Sequence, residues 1–182
     1  RSTSILAAAL HNCMKVLIAP QEFKGTLTAA QAGAAIQRAY AAVHPEVELE
    51  VVPIADGGAG TVDALLSATD GAEMQTQVTD PLGRPVRARW ALIDGGKTAV
   101  IEMAAASGLT LVAKADRSPL TAHTYGTGEL IRAALDEGAT RILVGAGGSA
   151  TCDGGVGAAS ALGIGFFDEN GRHLPLGPSH LP

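Results

Sequence analysis

The chain has 182 residues, 47% hydrophobic and only 3% aromatic, with 23 glycines and a formal net charge of -5. That is length and apolar content enough for one ordinary domain or two small lobes with a true core, and it excludes a disordered chain. Arg84, Arg87 and Arg89 are scattered rather than clustered, so nothing here could neutralise a row of phosphates, and nucleic acid is excluded as a partner. A small phosphorylated ligand stays open, because it needs one or two local cations and aligned backbone N–H groups, not a basic surface.

Residues 1–13, RSTSILAAALHNC, carry an apolar run too short to span a membrane and no convincing cleavage site, so they read as an upstream extension or remnant outside the fold. Cys13 and Cys152 stand in no CxxC or metal-ligand spacing; neither a disulfide framework nor a zinc site is indicated, and a reducing, cytoplasmic setting is expected. His11, His44, His123, His173 and His180 form no HxxxH pair, and each reads as an ordinary surface or loop residue.

From Lys15 the pattern is strand, loop, helix, repeated. KVLIA is a short continuous apolar run, as in a strand covered on both faces. After PQEFKGTL comes TAAQAGAAIQRAYAAV, with apolar residues at helical spacing; Thr28 and Gln31 form a capping box that starts the helix, and Pro45 ends it. VELEVVPIA is a second strand, DGGAG a loop, and TVDALLSATDG a short helix with Gly71 as its stop. MQTQVTD, VRARWALID and TAVIEMA, punctuated by Pro81, Gly83, Gly95 and Gly96, form an antiparallel meander. HTYGTGELIRAALDEG restores the helix, RILVGAG the strand, ASALG a short helix and IGFFDENG a last strand. The fold class is α/β, a mostly parallel sheet with crossover helices plus a short antiparallel meander. A first α/β segment covers 14–72, and a second covers 73–182 and is incomplete at its C-terminal end.

The stretch RILVGAGGSATCDGGVGAASALG ends a strand in a loop almost bare of side chains, whose only charge is Asp153. It is not a Walker A loop, since that pattern requires a lysine after its last glycine and Ala150 and Thr151 occupy those positions. It matches GxGxxA through Gly145, Gly147 and Ala150, with Asp168 downstream, which keeps a dinucleotide-binding reading open. Gly154, Gly155 and Gly157 would then sit in the first helical turns, each at a cost of up to about 1 kcal/mol. The pentapeptide DGGxG occurs twice, at 56–60 and 153–157, each time between a strand and a helix. Strand ends line the ligand crevice of open α/β sheets, so Asp56 and Asp153 would face it while Gly57, Gly58, Gly154 and Gly155 let a ligand approach the backbone. The alternative is that each Asp is only a helix N-cap; Asn caps as well, so Asp153→Asn would alter stability by no more than roughly 0.5 kcal/mol. Lys24 adds a cation after the first strand. Ser107 and Gly108, and Thr124, Gly126, Thr127 and Gly128, make two more small-polar turns, the second opening a helix and so a candidate anion site. Backbone donors, a cation, and carboxylates for Mg²⁺ or for a hydroxyl proton are the parts of phosphoryl transfer.

KVLIAP with EFKGTLTA, then VPIADGGAGTVDAL, VTDPLGRPV, IEMAAASGL, TYGTGELI and VGAGGSATCDGGVGAASALG, resemble the bacterial glycerate kinase family from Met14 to about Gly171. The resemblance implies parts of a two-lobed kinase that phosphorylates D-glycerate, with ATP and Mg²⁺, small-molecule partners only, no membrane, and homo-oligomerisation left open. It makes Asp153, Asp56 and Lys24 the candidate catalytic residues, with Asp153 and Asp56 also as metal contacts. Gly57, Gly58, Ser107, Thr127, Gly147, Gly148, Ser149, Thr151, Gly154 and Gly155 are the candidate substrate- or phosphate-binding positions. Cys152 stands where the family usually has Asn. Family members are considerably longer and carry a TGEGRxDxQT-like segment not found here, which implies a truncated form whose own activity is open, with sheet edges and apolar faces uncovered and a tendency to poor stability or association. A dinucleotide-binding module and an inactive remnant of a kinase are the competing readings.

Overall fold

The computed structural model describes residues 14–23 and 25–181, so the expectations for residues 1–13 and for Lys24 lie outside the described residues. The chain forms two compact units, one up to Ile54 and one from Ala55. In the first, β1 (Lys15–Ile18) pairs in parallel with β2 (Glu48–Val51), and α1 (Ala29–Val43) connects them. The capping box is formed as expected: Thr28 Oγ1 accepts the Gln31 N–H at 3.2 Å and Gln31 Oε1 accepts the Thr28 N–H at 2.9 Å. Lys15 bridges Glu48 and Glu50 at 3.3 and 2.7 Å on the exposed side of the pair.

The second unit is built on β3 (Gly71–Thr79), β4 (Pro85–Ile93), β5 (Thr98–Glu102) and β6 (Arg141–Gly145), in that spatial order. The first three strands are the antiparallel meander, and β6 joins β5 in parallel. Parallel and antiparallel pairings therefore coexist, in a mixed α/β fold. Side chains alternate across the sheet. On one face Val78, Ala88, Trp90, Ala99 and Ile101 pack with Leu130 and Ala134 of α4 (Tyr125–Asp136) and with Ala106 of α3 (Ala104–Ser107). On the other face Ala91, Ile93 and Val100 receive Val62, Leu65 and Leu66 of α2 (Thr61–Ala68). Large side chains such as Trp90 and Leu130, 1% and 0% exposed, each contribute about 1.5–3 kcal/mol by burial.

This packing ties α2 to the second unit and sets the division at Ile54, ahead of residue 72 where the sequence pattern parted the segments. Gly71 is not a helix stop. It opens β3, where an added Cβ would lie 2.7 Å from Ile93 Cγ2 and 2.9 Å from Leu66 Cδ2. Nor is IGFFDENG a sheet strand. Asp168 Oδ1 accepts the N–H groups of Asn170 and Arg172 at 2.9 and 2.8 Å, folding the segment into a tight turn closed by one bridge between Phe167 and His173. The helix expected at ASALG starts earlier, as α5 (Val156–Ala161). β6 forms one edge of this sheet, with Leu143 and Val144 exposed. Among the described residues no helix is long and apolar enough to cross a membrane.

Candidate active site

Three loops of the second unit lock together beside the C-terminal ends of β5 and β6. Loop 56–60 opens α2, loop 102–108 leaves β5 through α3, and loop 145–155 leaves β6. Gly147 donates its N–H to Gly57 O at 3.0 Å, Met103 to Gly145 O at 3.0 Å, Leu109 to Gly148 O at 2.9 Å, and Ala150 to Ser107 O at 2.9 Å. The glycines allow this contact. A Cβ on Gly147 would stand 2.6 Å from Gly58 Cα, and one on Gly145 would be 2.9 Å from the Gly57 Cα. Gly57 adds a second requirement, a φ of 90°, which side-chain-bearing residues rarely adopt. Much of the bare backbone thus serves loop-to-loop packing.

Asp56 is exposed on this platform, and among the described residues its Oδ1 accepts only the Gly58 N–H, at 3.1 Å. Behind it Glu102 Oε1 accepts the Val62 N–H at 2.8 Å, capping α2, whose own N-cap Gly60 has no side chain. Ser107 and Thr127, 0% and 4% exposed, share a hydroxyl–hydroxyl hydrogen bond of 2.7 Å that joins α3 to the first turn of α4. Their side chains are turned to each other rather than to an open surface. Ser149 and Thr151 are linked in the same way at 2.8 Å, with Thr151 N–H on Ser149 Oγ at 3.0 Å. Gly148, next to them, is exposed.

Asp153 is in a different setting. It is 2% exposed, and its Oδ2 accepts Thr124 N–H at 2.8 Å, Thr124 Oγ–H at 2.9 Å and Gly157 N–H at 3.0 Å, while Oδ1 accepts Gly155 N–H at 3.2 Å. Thr124 Oγ1 in turn accepts the Ala158 N–H at 2.9 Å. One carboxylate therefore joins the N-termini of α4 and α5, both carrying partial positive charge. Gly155, at φ 84°, is the N-cap of α5, and neither Gly154 nor Gly155 has an atom within 4 Å of the position a Cβ would take. Their conformation, not close contact, selects glycine there.

Sequence reasoning missed two buried groups nearby. His123 lies in the loop ahead of α4, one of the two expected settings, but is 8% exposed rather than on the surface. Burial pushes its imidazole below the usual value, against the pull of the Asp153, Asp80 and Glu129 carboxylates. Asp80 is also buried, which favours its neutral form. The N–H and guanidinium of Arg84 and the N–H of Leu82 outweigh that and hold the carboxyl below its ordinary range. The DPLGR motif could have signalled this, since Asp followed by a Pro-Gly turn commonly bonds its own backbone.

The dinucleotide reading meets two obstacles. Gly145 and Gly147 face loop 56–60 rather than an open ligand space, and the following helix begins only at Val156. Asp168 is engaged in its own turn.

The family profile described as "Glycerate kinase family" matches residues 16–182. The glycerate 2-kinase of Escherichia coli (strain K12) is 49% identical over 168 residues, and the glycerate kinase of Bacillus subtilis (strain 168) is 51% identical over 168 residues; each match covers 92% of this chain and 44% of the relative. A crystal structure of a protein assigned as glycerate kinase 2 from Salmonella typhimurium LT2 superposes with a TM-score of 0.80 at 45% identity, over 92% of this chain and 46% of that one. The chain thus spans somewhat under half the length of the curated relatives it matches, and with the interlocked glycine loops in place it belongs to the glycerate kinase family.

Proposed function

We propose that the protein carrying this chain transfers the γ-phosphoryl group of ATP to a hydroxyl of D-glycerate, giving 2- or 3-phosphoglycerate. The observation that carries the reading is the locking of loop 56–60 onto loop 145–148, which sets an exposed carboxylate, Asp56, beside a wall of bare backbone. Phosphoryl transfer asks little else of a protein than positioning and charge stabilisation. Asp56 takes the hydroxyl proton or contacts the metal, Gly148 and Ser149 provide the surface for phosphates or for the acid, and Gly57, Gly58 and Gly147 hold the two loops together beneath it. Lys24 keeps its proposed role of offsetting phosphate charge. Asp153 is assigned to positioning in place of metal contact: three donors already fill Oδ2, and its residue is buried.

Among the described residues no three His, Cys, Asp or Glu side chains group to hold a metal ion. A single carboxylate plus nucleotide phosphates is nevertheless an ordinary way of holding Mg²⁺, and Asp56 fits it. Magnesium arriving with the nucleotide supplies charge neutralisation at the transferring group. The reading carries with it a cytoplasmic location and small molecules as partners.

A coupled assay of ADP release tests it on the intact protein. D-Glycerate at saturating Mg·ATP is expected to support turnover, and its absence would overturn the proposal. Asp56→Asn is expected to lower kcat by roughly 10²-fold, the scale of a lost general base, and to raise the Mg²⁺ concentration for half-maximal rate if the carboxylate meets the metal.

A further inference from the structure

A cavity of ≈ 180 Å³ lies beside the interlocked loops. Its walls are apolar, from Leu109, Val112, Pro119 and Ala122, with Ala150 of loop 145–155 closing one side and Arg117 and Ser118 as its polar members. Arg117 Nε donates to Val112 O and Nη2 to Leu109 O, both at 3.3 Å. These two bonds hold the guanidinium in place and leave three of its five N–H groups. Among the described residues it has no ion-pair partner, its chain neighbour Asp116 included. Arg84 makes a useful contrast. It too reaches this turn, through Leu111 O at 3.2 Å, but Asp80 neutralises it at 2.7 Å. The cavity that holds Arg132 also contains Glu129 and Asp136. Arg117 is therefore a tethered, exposed cation lining a cavity that is otherwise mostly apolar and has no carboxylate in its lining.

We propose that this cavity seats the acid substrate, with Arg117 gripping its carboxylate and Ser118 donating a hydroxyl hydrogen bond, so that Arg117 is the residue that makes the enzyme select an acid. The inference rests on the kinase reading above and names the seat of its acceptor. One planar cation matches one carboxylate, bidentate through the remaining N–H groups. Arg117 is itself exposed, so its two tethering hydrogen bonds, not burial, set the orientation in which it meets a carboxylate. A triphosphate would need several donors and more positive charge than this lining holds. Leu109 N–H and Ala150 N–H also pin the cavity wall to loops 145–155 and 102–108, so an acid anchored here lies against loop 145–155, which is proposed to hold the phosphates.

The test compares wild-type intact enzyme with Arg117→Met and Arg117→Lys, using D-glycerate and glycerol as acceptors. Glycerol keeps hydroxyl groups and lacks the carboxylate. Arg117→Met is expected to raise KM for glycerate by roughly 10- to 100-fold, the range of a lost charge-assisted hydrogen bond, to leave KM for ATP within about twofold, and to shrink the preference for glycerate over glycerol by the same factor. Arg117→Lys should recover part of the loss, since it restores charge without the planar fork. If Arg117→Met does not fold, Ala122→Leu, which fills the cavity, is expected to raise the glycerate KM in the same selective way. An unchanged glycerate KM, or a rise confined to ATP, overturns the inference. Calorimetric titration of D-glycerate into the wild type separates the two layers: binding lost in Arg117→Met without any wild-type turnover supports this seat and sinks only the kinase reading, and no binding to the wild type overturns the seat itself.

Discussion

Replacing Asp153 by Asn tests whether that carboxylate touches ligand or holds the scaffold. Considered as a simple cap the change should be almost neutral, because Asn and Asp cap helices equally well. The geometry predicts otherwise. Both carboxylate oxygens accept, three donors on Oδ2 and one on Oδ1, whereas an amide has one accepting oxygen and one donating nitrogen. If the amide oxygen takes the Oδ2 place, its NH₂ meets the Gly155 N–H, donor against donor, at a residue only 2% exposed. One hydrogen bond is lost and the other three lose their charge assistance, so the cost is expected to be about 2–4 kcal/mol. For a domain of this length that is a fall in Tm on the order of 10 °C. Thermal unfolding of the chain, wild type against Asp153→Asn, measures it. Magnesium titration of the intact enzyme supplies the second readout: the Mg²⁺ requirement of Asp153→Asn should stay unchanged while that of Asp56→Asn rises. An unfolding curve shifted by less than roughly 0.5 kcal/mol, together with a raised Mg²⁺ requirement, would refute the scaffold role and return Asp153 to the metal.

What could be read from the sequence, and what could not, divides along the range of the forces involved. The capping box of Thr28 and Gln31, the meander punctuated by Pro81, Gly83 and Gly95, and the helix at 125–136 all depend on local periodicity and turn chemistry, and all were legible. Gly71 was misread because a glycine after a helix pattern has two causes: a left-handed stop, or close approach of a neighbouring strand. Only the packing of Ile93 and Leu66 decides for the second. The repeated DGGxG drew attention to the right two loops, but the two aspartates are not equivalent. Asp56 is exposed with one intraloop bond, and Asp153 is buried because α4, far away in sequence, brings Thr124 onto it. A local pattern cannot carry that long-range difference. The same holds for His123 and Arg117, whose roles come from the burial and the cavity around them rather than from their neighbours in the chain.

Three further outcomes follow from the contacts within the second unit. Thr127→Val leaves the buried Ser107 hydroxyl without its 2.7 Å partner and should destabilise by about 1–3 kcal/mol, while adding Ser107→Ala should recover part of that loss, measured as a double-mutant cycle by urea unfolding. His123, held below its usual value by burial, binds its proton more readily when unfolded, so its contribution to stability is present above pH 6.5 and declines as pH falls below it. Asp80 acts in the same direction only below 3.8, so His123→Gln should flatten the stability curve in the intervening range, and an unchanged curve there would count against the buried imidazole. Gly147→Ala tests the loop contact on which the proposed function rests. Gly147 has no left-handed backbone to lose, being absent from the positive-φ glycines, so the effect of the methyl group is steric: it would stand 2.6 Å from Gly58 Cα and 2.8 Å from Gly58 N. The two loops must separate and the Gly147 bond to Gly57 O is stretched, and a displacement of about 1 Å at such a site can lower the rate roughly 10²-fold. Gly95→Ala is the control. It has open space around the added methyl but a φ of 64°, so it should lower stability by about 1 kcal/mol through backbone strain and leave kcat/KM alone. If Gly147→Ala keeps normal kcat/KM while Gly95→Ala loses it, the interlocked loops are not the catalytic platform.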